Sequence, residues 1–169
     1  MPVSCPVWVR WWHRMGMDAL SRGEVFDRFS VELTRFATSL VGPTEARDVV
    51  SDAMVSALWS KGWDRVTNPR AYLYRAVANQ AKMHHRSAAR RRVRESEAAR
   101  VTVGAVSGPD VGVWDALGRL SVSERAVVFL TYWEDLTEGE VAERLSVSER
   151  TVRRRLRGAR GTLRRVLDD

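Results

Sequence analysis

The sequence predicts an all-α protein: two small helical domains joined by a flexible linker, the second carrying a helix-turn-helix. Three observations predict it. Apolar residues recur at steps of three and four through two separate stretches, and no segment shows a convincing period of two. Between those stretches lies VRESEAARVTVGAVSGPDVG, which has no apolar period and carries Gly, Ser and Pro. At 169 residues the chain suits one medium domain or two small ones. The expected boundaries are an N-terminal extension over 1–22, expected to be disordered, a first domain over 23–93, a linker over 94–112 and a second domain over 113–169.

The first helix follows from Phe26, Phe29, Leu33, Phe36 and Leu40, the spacing of one buried face, and Gly42-Pro43 stops it. Thr44 is the expected cap of the second helix, whose buried face is Ala46, Val49, Val50, Ala53, Met54, Ala57 and Leu58, with Arg47, Asp48 and Asp52 turned away. The breaker-rich loop WSKGWDRVTNP follows. Asn68 then caps a third helix that has Pro69 at its first position, where the missing N–H costs nothing. That helix buries Leu73, Val77 and Ala81 before running into KMHHRSAARRRVR, which is too basic to be a core.

RLSVSER occurs twice, at Arg119–Arg125 and Arg144–Arg150, followed first by AVVFL and then by TVRRRL. Two copies of a seven-residue phrase do not make a repeat array, and helix punctuation accounts for both. Ser121 with Glu124 is a capping box opening a helix that buries Ala126, Val127, Phe129 and Leu130, and Ser148 caps the later helix. Between them Thr137 and Glu140 form another capping box, and Val141, Ala142 and Leu145 an apolar seam. A short helix, the turn SVS and a second helix make a helix-turn-helix. On that second helix Val152, Leu156, Ala159 and Leu163 share one face, while Arg150, Arg153, Arg154 and Arg157 fill the opposite one. A merely solvated basic face would interleave glutamates at i,i+4, and here only Glu149, in the first turn, is acidic. DNA recognition is the reading that fits. Gly158 and Gly161 are expected to leave the last turns less regular.

Net charge and cysteine usage narrow the class. A charge of +7 and a pI near 10.6 point to a polyanionic partner. Only Lys61 and Lys82 are lysines, so arginine supplies nearly all the positive charge, either for its phosphate- and guanine-binding fork or through a GC-rich genome's codons. Cys5 is the only cysteine, and His13, His84 and His85 form no ligand-spaced pair with carboxylates, so no metal or cofactor is expected. Enzyme chemistry is not expected either. No stretch approaches the roughly 20 apolar residues of a membrane span, which predicts a cytoplasmic protein. The opening segment, with Trp8, Trp11 and Trp12 among Arg10, His13 and Arg14, fails as a signal peptide because Arg10 breaks its apolar run. It reads as a disordered extension, as residues upstream of a true start at Met15 or Met17, or as an aromatic-cationic contact segment.

The layout resembles bacterial sigma factors of the extracytoplasmic-function (ECF) group, which keep regions 2 and 4. The second-helix pattern Asp48-Val49-Val50-Ser51-Asp52 with Trp59 is similar to the family's region 2, as more loosely is Tyr72-Leu73-Tyr74-Arg75-Ala76-Val77-Ala78-Asn79. Glu140-Val141-Ala142, then Thr151-Val152, Leu156, Ala159-Arg160 and Leu163, is similar to region 4. Ser51 stands where the family usually has glutamine, and Met83 where it often has asparagine or aspartate. The resemblance implies binding to core RNA polymerase, recognition of promoter DNA and help in opening the duplex. It assigns Asp48, Val49, Asp52, Met54 and Leu58 to polymerase docking, although the two acids alone read equally as surface charge. It places the −10 element at Trp63, Asn79, Lys82, Arg86, Arg90 and Arg91, and the −35 element at Arg150, Thr151, Arg153, Arg154 and Arg157. Trp63 also fits plain loop packing, and Asn79 a helix-stabilising role. An anti-sigma factor is a further implied partner. The rival reading is a stand-alone helix-turn-helix regulator whose first domain dimerises or senses, and a third is a sigma-like protein that binds polymerase without initiating.

Overall fold

The computed structural model describes residues 22–98 and 116–167, with side chains in the third helix described as far as Arg90. Its helices are α1 (Arg22–Val41), α2 (Ala46–Leu58), α3 (Pro69–Ala98), α4 (Val122–Tyr132), α5 (Glu138–Leu145) and α6 (Glu149–Leu167), with a short 3-10 turn at Trp63–Arg65. No strand occurs among the described residues. The architecture is the all-α one the apolar periods predict. Helices α1 to α3 form one lobe and α4 to α6 another. Residues 99–112 of the expected linker and residues 1–21 of the N-terminal extension lie outside the described residues.

Helix α1 buries Val25, Phe29, Leu33, Phe36, Ala37 and Leu40. Phe26, expected in that row, is 42% exposed, and Val25 takes its place. In a first turn with two adjacent apolar residues the packing against α2 and α3, not the period, selects which one points inward. Gly42 ends α1 at φ +94°, a left-handed conformation that glycine adopts without a Cβ penalty, and its N–H donates to the Thr38 carbonyl at 2.9 Å. Helix α2 buries the expected Ala46, Val49, Val50, Ala53, Met54, Ala57 and Leu58. Its N-cap position is Glu45, in helical backbone and without a side-chain cap bond, so Thr44 does not cap it. Asn68 caps α3 as expected, its Oδ1 accepting the Ala71 N–H at 3.0 Å. Helix α3 then runs unbroken to Ala98, past residue 93 and into the stretch expected to be linker.

Both predicted capping boxes form, Ser121 with Glu124 and Thr137 with Glu140. Hydrogen bonds from the Thr137 hydroxyl and N–H hold the Glu140 carboxyl below its usual range. Helix α6 continues through both glycines to Leu167, so its last turns are regular. Gly158 has a packing reason: a Cβ there would lie 2.6 Å from the Glu124 carboxylate. The sharp corner between α5 and α6 is made by Ser146, a non-glycine residue at φ +52° and ψ +50°. An L-residue in that conformation costs about 1–2 kcal/mol. Ser146→Gly is therefore expected to raise stability by up to about 1 kcal/mol after the glycine's own entropic cost. The check is a thermal midpoint higher by about 2–4 °C.

The two lobes share one apolar core. The Phe36 ring sits 4.8 Å from Tyr74 within the first lobe and 5.8 Å from Phe129 of the second. Burial of such a ring is worth about 1.5–3 kcal/mol, so the contact across the lobes is a substantial part of the packing.

Candidate nucleic-acid interface

The helix-turn-helix of the second lobe is built from its caps and its seam. Val141, Ala142 and Leu145 of α5 pack with Val152, Leu156 and Ala159 of α6, all buried, while Leu163 is half-buried. After Ser146, the Val147 N–H donates to the Ala142 carbonyl at 2.9 Å. Ser148 Oγ then accepts the Thr151 N–H at 3.3 Å and starts α6. With Val152 and Leu156 pinned inward, the opposite face must carry Arg150, Arg153, Arg154 and Arg157, and all four are exposed. Thr151 is half-buried at the helix start, its hydroxyl 3.0 Å from that of Ser148. Arg153 differs from its neighbours: it lies 3.5 Å from both the Glu138 and Glu149 carboxylates. Those two acids already partly neutralise it, leaving Arg150, Arg154 and Arg157 as the better anion ligands.

In the first lobe, a cavity of about 290 Å³ opens between α2 and α3. Ser56, Ser60, Tyr72, Arg75, Asn79, Gln80 and Met83 contribute to its lining. Asn79 is exposed and lines the cavity, with Met83 one turn further on. Trp63 does not line the cavity. It is half-buried on the 3-10 turn, its ring edge-on to Tyr72 at 5.9 Å, and Arg75 lies 5.2 Å over the same tyrosine ring. Trp63 thus shores up Tyr72, which itself faces the cavity and sits 3.3 Å from the Ser60 hydroxyl. Further along α3, Lys82 is half-buried and Arg86 and Arg90 are exposed. Burial, then the charges of Arg155 on α6 and of Arg86, push the Lys82 ammonium below its ordinary proton affinity. Arg91 lies on α3 beyond the described side chains. His85 Nε2 is 3.0 Å from the Leu40 carbonyl, closing the end of α1.

The outer face of α2 carries Asp48 and Asp52, both exposed. Three other residues assigned to docking belong elsewhere. Val49, Met54 and Leu58 are 2%, 0% and 2% exposed, because α2 turns its apolar row onto α1 and α3. They hold the helix in place from beneath and present nothing to a partner. The exposed row instead reads Asp48, Asp52, Val55 and Trp59, steps of four, three and four along one stripe. Val55 is 60% and Trp59 67% exposed, with the Arg22 guanidinium 5.5 Å over the indole. The same period that identifies the buried row identifies this one, and two large apolar side chains on an acidic face are its signal. Asp52 Oδ2 also accepts a hydrogen bond from Gln80 at 3.1 Å, joining the stripe to the cavity rim.

An exposed arginine helix in a helix-turn-helix, joined to an α-helical lobe with its own basic helix and an acidic–aromatic stripe, defines a DNA-binding transcription protein with a second macromolecular contact. Comparison with known proteins is specific. The sigma-70 region 2 family matches residues 25–91, and the sigma-70 region 4 family matches residues 111–163. The ECF RNA polymerase sigma factor SigL of Mycobacterium tuberculosis, in strains H37Rv and CDC 1551 alike, is 29% identical over 156 residues, covering 86% of this chain and 88% of SigL. Among solved structures, the sigma factor RpoE of Bartonella quintana, crystallised in complex with the anti-sigma factor NepR, has the same fold with a TM-score of 0.61. That match is 22% identical and covers 85% of this chain and 94% of RpoE. The chain belongs to the ECF group of RNA polymerase sigma factors and directs promoter recognition by the polymerase. A stand-alone regulator does not account for a first lobe that matches region 2 almost throughout.

Proposed function

We propose that three surfaces divide the work of this sigma factor. The α2 stripe of Asp48, Asp52, Val55 and Trp59 docks on core RNA polymerase. The region around the α2–α3 cavity engages the −10 element, with Asn79 and Tyr72 at the cavity and Lys82, Arg86, Arg90 and Arg91 along the phosphates. Arg150, Arg154 and Arg157, with Thr151 at the helix start and Arg153 in a lesser part, enter the major groove at the −35 element. The observation that carries the proposal is the exposed arginine face of α6, set directly opposite the seam that fixes the helix-turn-helix. The protein makes and breaks no bond itself, and it acts in the cytoplasm, where the polymerase is. The B. quintana relative is held by an anti-sigma factor, and an anti-sigma factor holds this chain as well.

Opening a duplex needs somewhere for an unstacked base, and the cavity offers an aromatic wall, hydroxyls and an amide. Trp63 acts through Tyr72. Asn79→Ala is therefore expected to reduce open-complex formation by about tenfold while leaving closed promoter complexes intact, because stacking or amide capture of a base is worth about 1–3 kcal/mol. Trp63→Ala is expected to give a smaller loss of the same kind. Permanganate reactivity of −10 thymines, measured beside filter retention of the closed complex, checks both. Equal losses in the two assays would place these residues in general DNA affinity and remove them from base capture.

A further inference from the structure

The cavity between α2 and α3 has a hydrogen-bonding polarity of its own. Gln80 lines it, and its side chain is clamped from outside: Nε2 donates to Asp52 Oδ2 at 3.1 Å, and Asp52 is not a lining residue. A carboxylate only accepts, so the amide cannot turn end for end without losing that bond. The Gln80 carbonyl oxygen has no other partner among the described residues. A freely turning glutamine offers a base either a donor or an acceptor, whereas this one keeps an acceptor available at the cavity. Ser60 and Tyr72 share the bias. Ser60 gives its one hydroxyl proton to the Ala57 carbonyl at 2.8 Å. Of the two hydroxyls, which lie 3.3 Å apart, only that of Tyr72 is then left to donate to the other. Both oxygens retain lone pairs and no spare proton. Donors come instead from Arg75, whose guanidinium lies 5.2 Å over the Tyr72 ring, and from the adaptable Asn79 and Ser56.

That polarity separates the four bases into two pairs. Unpaired adenine and cytosine carry an exocyclic amine, N6 or N4, beside a ring nitrogen that accepts. Guanine and thymine carry a carbonyl oxygen at the same place, O6 or O4, and guanine's own amine lies at the far end of its edge. An amine set against the Gln80 carbonyl makes a hydrogen bond and leaves the ring nitrogen for Asn79 or Arg75. A carbonyl in that place meets a second acceptor, and the bond to Asp52 keeps the amide from turning to relieve the conflict. A site that leaves the wrong ligand's polar group unpaired rejects that ligand. Gln80 is half-buried, which sets the expected discrimination near the lower end for a base contact, about tenfold.

We propose that Gln80, held by Asp52, is a specificity-determining residue for the −10 element, its carbonyl selecting an unstacked adenine or cytosine over guanine or thymine at one position. The proposal rests on the assignment of the cavity to an unstacked base. It gives Asp52 a second task. On the outer stripe of α2 that carboxylate faces the polymerase, and through Gln80 it acts as a positioning residue for base selection.

The test measures base preference on single strands. The full chain is assembled with core polymerase, and its affinity is read by fluorescence anisotropy for oligonucleotides spanning the −10 element of a promoter it transcribes. Each strand is used in turn, and every position carries each of the four bases. Ratios between bases on one holoenzyme cancel any change in polymerase affinity. At one position of one strand, adenine and cytosine are expected to bind about tenfold more tightly than guanine and thymine. Gln80→Leu should bring that ratio to within about twofold and leave the other positions as they are. Gln80→Lys, which puts a donor where the acceptor was, should reverse it in favour of guanine and thymine. Asp52→Asn, which can donate as well as accept, lets the Gln80 amide turn and should lower the ratio to about threefold. A wild type that favours guanine or thymine where Gln80→Leu acts would overturn the proposal. So would a Gln80→Leu protein that keeps every ratio, whatever its overall affinity, while Asn79→Ala alters one. An undiminished ratio in Asp52→Asn would overturn the part given to Asp52. If Asn79→Ala and Gln80→Leu both leave every ratio unchanged, the cavity takes no base, and that assignment falls together with the proposal.

Discussion

Charge reversal at both carboxylates of α2, Asp48→Arg with Asp52→Arg, is expected to weaken association with core RNA polymerase by about a thousandfold, roughly 4 kcal/mol. Both side chains are exposed on the outer stripe, while the row that holds α2 in the fold lies on the opposite face. The substitutions therefore leave the core untouched. Their cost to folding is limited to two small effects, loss of an acid from the first turn and loss of the Gln80 hydrogen bond to Asp52, since Asp48 and Asp52 are already a like-charge pair four residues apart. The first costs about 0.3–1 kcal/mol. At the interface each site changes from attraction to repulsion, which is why the effect on binding outweighs the effect on folding. Co-migration with sigma-free core polymerase on size exclusion measures the loss, with circular dichroism to show that the helices remain. Trp59→Ala should weaken the same association by about tenfold through lost apolar contact alone. Association within about twofold of wild type for the double reversal would remove the stripe from the docking surface.

The buried rows and most caps of this fold were legible in the sequence because each is decided within a few residues. Ser121–Glu124, Thr137–Glu140 and Asn68–Pro69 specify helix starts locally, and all three form. Where reading failed, the deciding contact lay further away or two rules competed. Phe26 and Val25 are equally apolar neighbours, and only the packing of α1 chooses between them. Thr44 is a good cap residue by type, but the backbone enters α2 already helical at Glu45. Val49, Met54 and Leu58 fit both a buried row and a family docking motif. The period was the stronger guide, since a buried side chain cannot also be a contact. Gly158 looked like a helix weakener and instead sits where an added Cβ would lie 2.6 Å from the Glu124 carboxylate. The candidate sites divide in the same way. The arginine face of α6 needed only the 100° turn of a helix, whereas the α2–α3 cavity and the bond from Gln80 to Asp52 join residues far apart in the chain. No local pattern encodes such a meeting.

Removing two arginines from the exposed face of α6, Arg154→Ala with Arg157→Ala, is expected to lower promoter binding by the polymerase complex by about a hundredfold at moderate salt. A bidentate arginine–guanine contact is worth about 1–3 kcal/mol, and a phosphate contact also contributes through counterion release. The two kinds of contact separate cleanly. If both side chains hold phosphates, affinity falls alike on every −35 sequence, and the slope of log affinity against log salt becomes shallower by about 2. If they read guanines, the loss is concentrated on the native −35 element, and variants at those positions bind the substituted protein as well as the native site does. Arg153→Ala is the internal control. Its guanidinium is shared between the Glu138 and Glu149 carboxylates at 3.5 Å, so its removal should cost less than removal of either neighbour. Binding and selectivity unchanged by the double substitution would take these arginines out of the groove and leave α6 as a solvated basic face. A loss confined to Arg153→Ala would mean instead that the ion pairs with Glu138 and Glu149 orient the guanidinium that reads the DNA.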